Sequence, residues 1–67
     1  MKQYEIRIAC PLSDTIIASF PELHAVQLSP RVTMLSGPVR DQSQLHEFVA
    51  RIGDLGIEIT EIRQQPQ

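Results

Sequence analysis

Asp41-Gln42-Ser43-Gln44-Leu45-His46-Glu47-Phe48-Val49-Ala50-Arg51-Ile52-Gly53-Asp54-Leu55-Gly56, running straight into Ile57-Glu58-Ile59-Thr60-Glu61-Ile62-Arg63, is the stretch on which the fold turns. Leu45, Phe48, Val49, Ile52 and Leu55 recur at helical spacing, so one stripe of a helix is apolar. Asp41 and Gln44 stand at the three-residue offset of a capping box, and Gly56 sits where a left-handed C-terminal cap belongs. Gly53 lies on the flank and costs that helix about 1 kcal/mol relative to Ala, which close packing of a neighbour would explain.

The strand that follows changes parity. Ile57 and Ile59 point to one face and Ile62 to the other. A regular strand places Ile62 on a second apolar surface and Glu61 on the helix-covered side. A bulge near Thr60-Glu61 instead returns Ile62 to the core and Glu61 to solvent. Both readings stay open at this level.

Working outward, Tyr4-Glu5-Ile6-Arg7-Ile8-Ala9-Cys10 alternates strictly and predicts a strand with Tyr4, Ile6, Ile8 and Cys10 inward. Pro11 ends its ladder, Ser13 is placed to cap a short helix with Asp14 in the first turn, and Pro21 stops that helix. Its apolar stripe is Ile16, Ile17 and Phe20. Two short strands follow, His24 to Leu28 and Arg31 to Ser36, joined through Ser29-Pro30 as an antiparallel hairpin. In the second, Val32 and Met34 oppose Thr33 and Leu35, so both parities are partly apolar and pattern alone leaves the inward face open. Gly37-Pro38 is expected to break it.

The order is therefore strand, helix, strand, strand, helix, strand. In so short a chain this predicts an α+β, ferredoxin-like βαββαβ sandwich over residues 1–63, with residues 64–67 a flexible C-terminal tail. The expected sheet is antiparallel, in the order 4-1-3-2, with both helices on one face.

Two stretches, Gly37-Pro38-Val39-Arg40-Asp41-Gln42-Ser43-Gln44-Leu45-His46 and Leu55-Gly56-Ile57-Glu58-Ile59-Thr60-Glu61-Ile62-Arg63, resemble short bacterial proteins of uncharacterised function. Tyr4-Glu5-Ile6-Arg7 with Pro11-Leu12-Ser13 fits them too. The resemblance implies a stand-alone unit and brings no activity with it. At fold level the chain is similar to ACT-type regulatory domains and to dimeric α+β barrel proteins. ACT-type sites use a glycine-containing loop after the first strand, whereas Pro11-Leu12-Ser13-Asp14 has none.

Composition narrows the function classes. Six basic residues against eight acidic ones, scattered along the chain, and only Tyr4, Phe20 and Phe48 as aromatics argue against nucleic-acid binding. Neither a signal peptide nor a long apolar span is evident, and a single cysteine cannot form an intrachain disulfide, so a cytoplasmic protein without membrane attachment is expected. A chain of 67 residues is near the size at which a core alone suffices, which favours association.

Candidate chemistry is sparse. Cys10 ends a strand near a helix N-terminus and is readable as a nucleophile; equally, it continues the core face. His24 is its companion catalytic candidate, in a pocket shared with Tyr4 and Phe20. His24 and His46 lack paired metal-site spacing, and Asp14 and Asp41 are explained by capping, so no metal or cofactor is expected. Ala9, Leu35, Thr60 and Ile62 are the predicted interface on the uncovered sheet face, rimmed by Glu5, Arg7, Gln27 and Glu58. The expectation is a small non-catalytic binding or regulatory domain, a homodimer with a further protein or small-molecule partner. The alternative is a small dimeric α+β barrel-type enzyme or an accessory subunit of a larger enzyme.

Overall fold

Side-chain caps start both helices. The Ser13 hydroxyl accepts a hydrogen bond from the Ile16 amide at 3.2 Å, and the Asp41 carboxylate accepts one from the Gln44 amide at 2.9 Å. The Gln44 side chain reaches back to accept from the Arg40 amide at 2.6 Å, one residue beyond the N-cap amide that the ordinary reciprocal box uses. In this computed structural model, which describes residues 1–66, the elements are β1 (Lys2–Ile8), α1 (Asp14–Ser19), β2 (His24–Ser29), β3 (Val32–Val39), α2 (Gln42–Asp54) and β4 (Ile59–Gln64).

The protein is α+β, with an open four-stranded antiparallel sheet in the order β2-β3-β1-β4. Ile6, Ile8, Leu35 and Val39 from one face of β1 and β3 form a single buried cluster with Ile16, Phe20, Phe48 and Ile52 from the two helical segments. Both helices therefore cover the same side of the sheet. Burial of these aliphatic and aromatic side chains, each worth roughly 1.5–3 kcal/mol, is the main force holding the two layers together.

The C-terminus of α2 closes as a Schellman motif. Gly56 has φ 73°, its amide donates to the Gly53 carbonyl at 2.9 Å, and the Ile57 amide donates to the Ile52 carbonyl at 3.3 Å. Ile57 then packs against the cluster that holds Ile52. Gly53, by contrast, has open space where a Cβ would stand, so close packing is not the reason for this glycine.

Several expectations are corrected. β3 does not break at Gly37-Pro38 but continues to Val39. β2 begins opposite Ser36, so at Pro38 the side of the strand away from β1 has no ladder partner, and a residue lacking an N–H is tolerated at such an edge. Gly37 is buried, and a Cβ there would meet Leu23 Cδ2 at 2.9 Å and the Glu22 carbonyl at 3.3 Å. The glycine admits the α1–β2 connection against the sheet.

On β3 it is Thr33, Leu35, Gly37 and Val39 that face the helices. The Thr33 hydroxyl is buried without penalty because it donates to the Cys10 carbonyl at 2.8 Å. Ile17, expected in the stripe of α1, is exposed; a helix of six residues covers the sheet with Ile16 and with Phe20 at its C-cap. β4 runs one residue past position 63, to Gln64, and the Gln65 amide donates to the Gln3 carbonyl at 2.8 Å. Gln67, the last of the expected tail residues, lies outside the described residues.

The parity of Ile62 is resolved by a bulge. β4 pairs Ile59 with Ile8, Glu61 with Arg7 and Ile62 with Ile6, leaving Thr60 as the extra residue. The Thr60 hydroxyl donates to the Arg7 carbonyl at 3.2 Å. Ile62 thus shares the face of Ile6, at the margin of the sheet and still 42% exposed.

Arg51 fastens the helical layer. Its guanidinium lies 5.4 Å from the Phe20 ring centre and 5.3 Å from that of Phe48, and donates to the Ser19 carbonyl at 2.8 Å. It also meets Glu22 at 3.0 Å and Glu47 at 3.2 Å. Nothing in the local pattern of α2 distinguishes this arginine, because every partner but Glu47 and Phe48 comes from α1 and the segment after it.

Candidate functional site

Cross-strand partners share a face, so the register lists what the uncovered side of the sheet presents. One row runs Val26, Met34, Arg7, Glu61 across β2, β3, β1 and β4, and the next runs His24, Ser36, Glu5, Arg63. On the β2–β3 half the apolar residues lie to one side of the His24–Ser36 pair: Val26 is exposed, Met34 and Val32 are half-buried, and Leu28, in the irregular stretch of β2, is also exposed.

The β1–β4 half carries charge in a chequered pattern. Arg7 and Glu5 alternate along β1, Glu61 and Arg63 along β4, and each stands across the ladder from its opposite. Arg7 Nε meets Glu61 at 3.5 Å, and Arg63 meets the other Glu61 oxygen at 3.2 Å. The four charges sum to zero, and the ion pairs are solvent-exposed.

This revises the predicted interface. Leu35 is fully buried beneath the helices and is not on the open face. Ile62 is on the helix side as well, across from Ile6. Ala9 is exposed just past the end of β1, with its amide bound to the Glu58 carbonyl at 2.9 Å, and Thr60 is exposed in the bulge. Of the expected rim, Glu5 and Arg7 are on the open face, whereas Gln27 pairs with buried Thr33 and so belongs to the covered side, and Glu58 precedes β4. Pattern alone does not assign Val26 and Met34 to the open face, because either parity of β3 can be the inward one; with Leu35 fixed inside, the open-face residues follow by alternation.

The expected grouping of Tyr4, Cys10, Phe20 and His24 does not form. His24 is exposed on the open face in the row of Glu5, while Cys10 lies beyond Ile8 at the far end of β1 and Phe20 is buried in the core. Tyr4 helps line a separate cleft of about 290 Å³ with Met1, Lys2, Val39, Arg40, Asp41 and Gln42. Cys10 lines a cleft of about 330 Å³ with Pro11, Ser13, Thr15, Ile16, Leu55 and Ile57.

Burial pushes the Cys10 thiol up from its ordinary range, so it is less ionised at neutral pH than a free thiol. No general base stands among the residues that line its cleft. His46 is exposed on α2, and Asp14 and Asp41 hold their helix-start positions. Among the described residues, no group of three or more His, Cys, Asp or Glu side chains is placed to hold a metal ion. No helix of the described residues is long and apolar enough to cross a membrane.

Residues 3–63 match the family described as Domain of unknown function (DUF8691), and the chain belongs to that family. No curated protein and no solved structure matches it.

Proposed function

We propose that this DUF8691 domain is a non-catalytic association module of the ferredoxin-like class, which acts as a homodimer. The βαββαβ order, the β2-β3-β1-β4 sheet and the placement of both helices on one face support the class. The observation that carries the function is the open sheet face. A sheet face bathed in water reads polar throughout, whereas here Val26, Met34 and Val32 form an apolar end beside a charge-balanced one. A single cysteine with no disulfide partner supports a reducing compartment such as the cytoplasm.

Sedimentation equilibrium of the wild type, Val26→Lys and Ile62→Lys tests this reading. The wild type is expected to dimerise in the micromolar range, Val26→Lys to weaken the dimer about tenfold or more, and Ile62→Lys to leave it intact because Ile62 faces the helices. A wild type that remains monomeric throughout the micromolar range sinks the proposal.

A second reading, a small-molecule partner, has one observation in its favour. The cleft beside Cys10, about 330 Å³ with walls from Pro11, Ile16, Leu55 and Ile57, is within the size range of ligand sites. Native mass spectrometry of the protein taken from its own host tests it, and a spectrum showing only the bare chain counts against it.

A further inference from the structure

The chequered charges do more than balance within one chain. We infer that two copies pair open face to open face about a two-fold axis lying in the interface, perpendicular to the strands and passing between the Arg7 row and the Glu5 row. This rests on the self-association reading and specifies its geometry.

A two-fold in that position exchanges the rows while keeping each strand over itself. Arg7 of one copy falls over Glu5 of the second, and Glu61 falls over Arg63 of the second, so every contact across the axis joins opposite charges. Faces of stacked sheets lie about 10 Å apart, a gap that Arg and Glu side chains reaching from both sides span. The same operation sets Val26 and Met34 against His24 and Ser36 of the second copy, which takes the apolar pair out of water.

The second copy is the occupant favoured by this arrangement because an equal, alternating set of four charges is complementary to itself. A strongly acidic or basic partner would meet two like charges for every two opposite ones. A two-fold parallel to the strands, between β1 and β4, would also match Arg7 with Glu61 and Glu5 with Arg63. It would leave the β2–β3 half, where the apolar residues are, hanging free of the partner. Coverage of Val26 and Met34 therefore selects the axis that crosses the strands.

Two double variants test the geometry while keeping opposite charges across the β1–β4 ladder; each gives up the Glu61–Arg63 pair along β4, and to the same extent. Arg7→Glu with Glu61→Arg makes β1 acidic and β4 basic, and Glu5→Arg with Arg63→Glu makes β1 basic and β4 acidic; both retain opposite charges across the β1–β4 pair. Each variant alone meets itself with like over like, so its dimer is expected to weaken about a hundredfold. Mixed, the two restore attraction at every contact and form a heterodimer within about tenfold of wild-type strength.

Circular dichroism of each variant establishes that the fold is retained, and fluorescence anisotropy with one variant labelled reads the pairing. In the wild type, the dimer should weaken as NaCl is raised from low to high ionic strength. Variants that each dimerise as well as the wild type, a mixture that fails to associate, or a salt-insensitive wild-type dimer overturns this geometry while leaving the homodimer standing. A monomeric wild type removes the homodimer itself.

Discussion

Arg51 grips Glu22 through both terminal nitrogens, at 3.0 and 3.3 Å, across 29 residues of sequence. The hydrogen bond to Arg51 is the first cause that holds the Glu22 carboxyl below its ordinary range, and the Arg51 guanidinium is shifted up in turn. A folded-state value below the unfolded one means that the pair's contribution is fully present above the usual carboxylate range. It is lost as pH falls through the depressed value. Urea denaturation of wild type and Glu22→Gln should therefore show a gap at neutral pH that closes in acid. With 40% of the Glu22 side chain exposed, the gap stays under about 1 kcal/mol.

Removing the arginine reaches further than removing its carboxylate partner. Arg51→Ala loses the stacking over Phe20 and Phe48 and the bond to the Ser19 carbonyl, and should destabilise the fold by about 2 kcal/mol in urea melts. Arg51→Lys restores charge without the planar fork and should recover less than half of the loss.

The glycine in β3 and the one in α2 predict opposite outcomes from the same substitution. Gly53→Ala adds a methyl group into open space on a helix and should stabilise by about 1 kcal/mol, raising the melting temperature by roughly 4–8 °C. Gly37→Ala drives a methyl against Leu23 and the Glu22 carbonyl, and should lower stability by about 1–3 kcal/mol. Differential scanning calorimetry of the pair reads both signs.

Raised by burial, the Cys10 thiol should react with a disulfide reagent at neutral pH more slowly than free cysteine does. Its rate should keep rising with pH beyond the point where the free thiol levels off. A Cys10 that reacts faster than free cysteine at neutral pH would indicate an activated nucleophile and revive the enzyme reading.

What could be read in advance was local. Ser13, Asp41 and Gly56 announce helix ends because a cap needs only its own neighbours, and the spacing of Phe48 and Ile52 marks the buried stripe of α2 without reference to the rest of the chain. What escaped depends on partners distant in sequence. Thr33 counts as polar until the Cys10 carbonyl is brought beside it, and Pro38 counts as a strand breaker until β2 is seen to begin opposite Ser36. Ile62 could be placed only once Thr60 was found to be the surplus residue against Arg7. The open face, and with it the candidate site, depended on the placing of Thr33 and of Ile62.

The surplus residue in β4 also bears on what the sheet refuses to join. β2 and β4 are its outer strands, and each carries an irregularity, between Gln27 and Ser29 in one and at Thr60 in the other. A strand approaching either margin finds the rhythm of free N–H and C=O groups out of step and the backbone turned away. Sideways addition of copy upon copy, the route to filaments, is disfavoured at both margins. The homodimer proposed above would then stop at two copies instead of growing along its sheet margins.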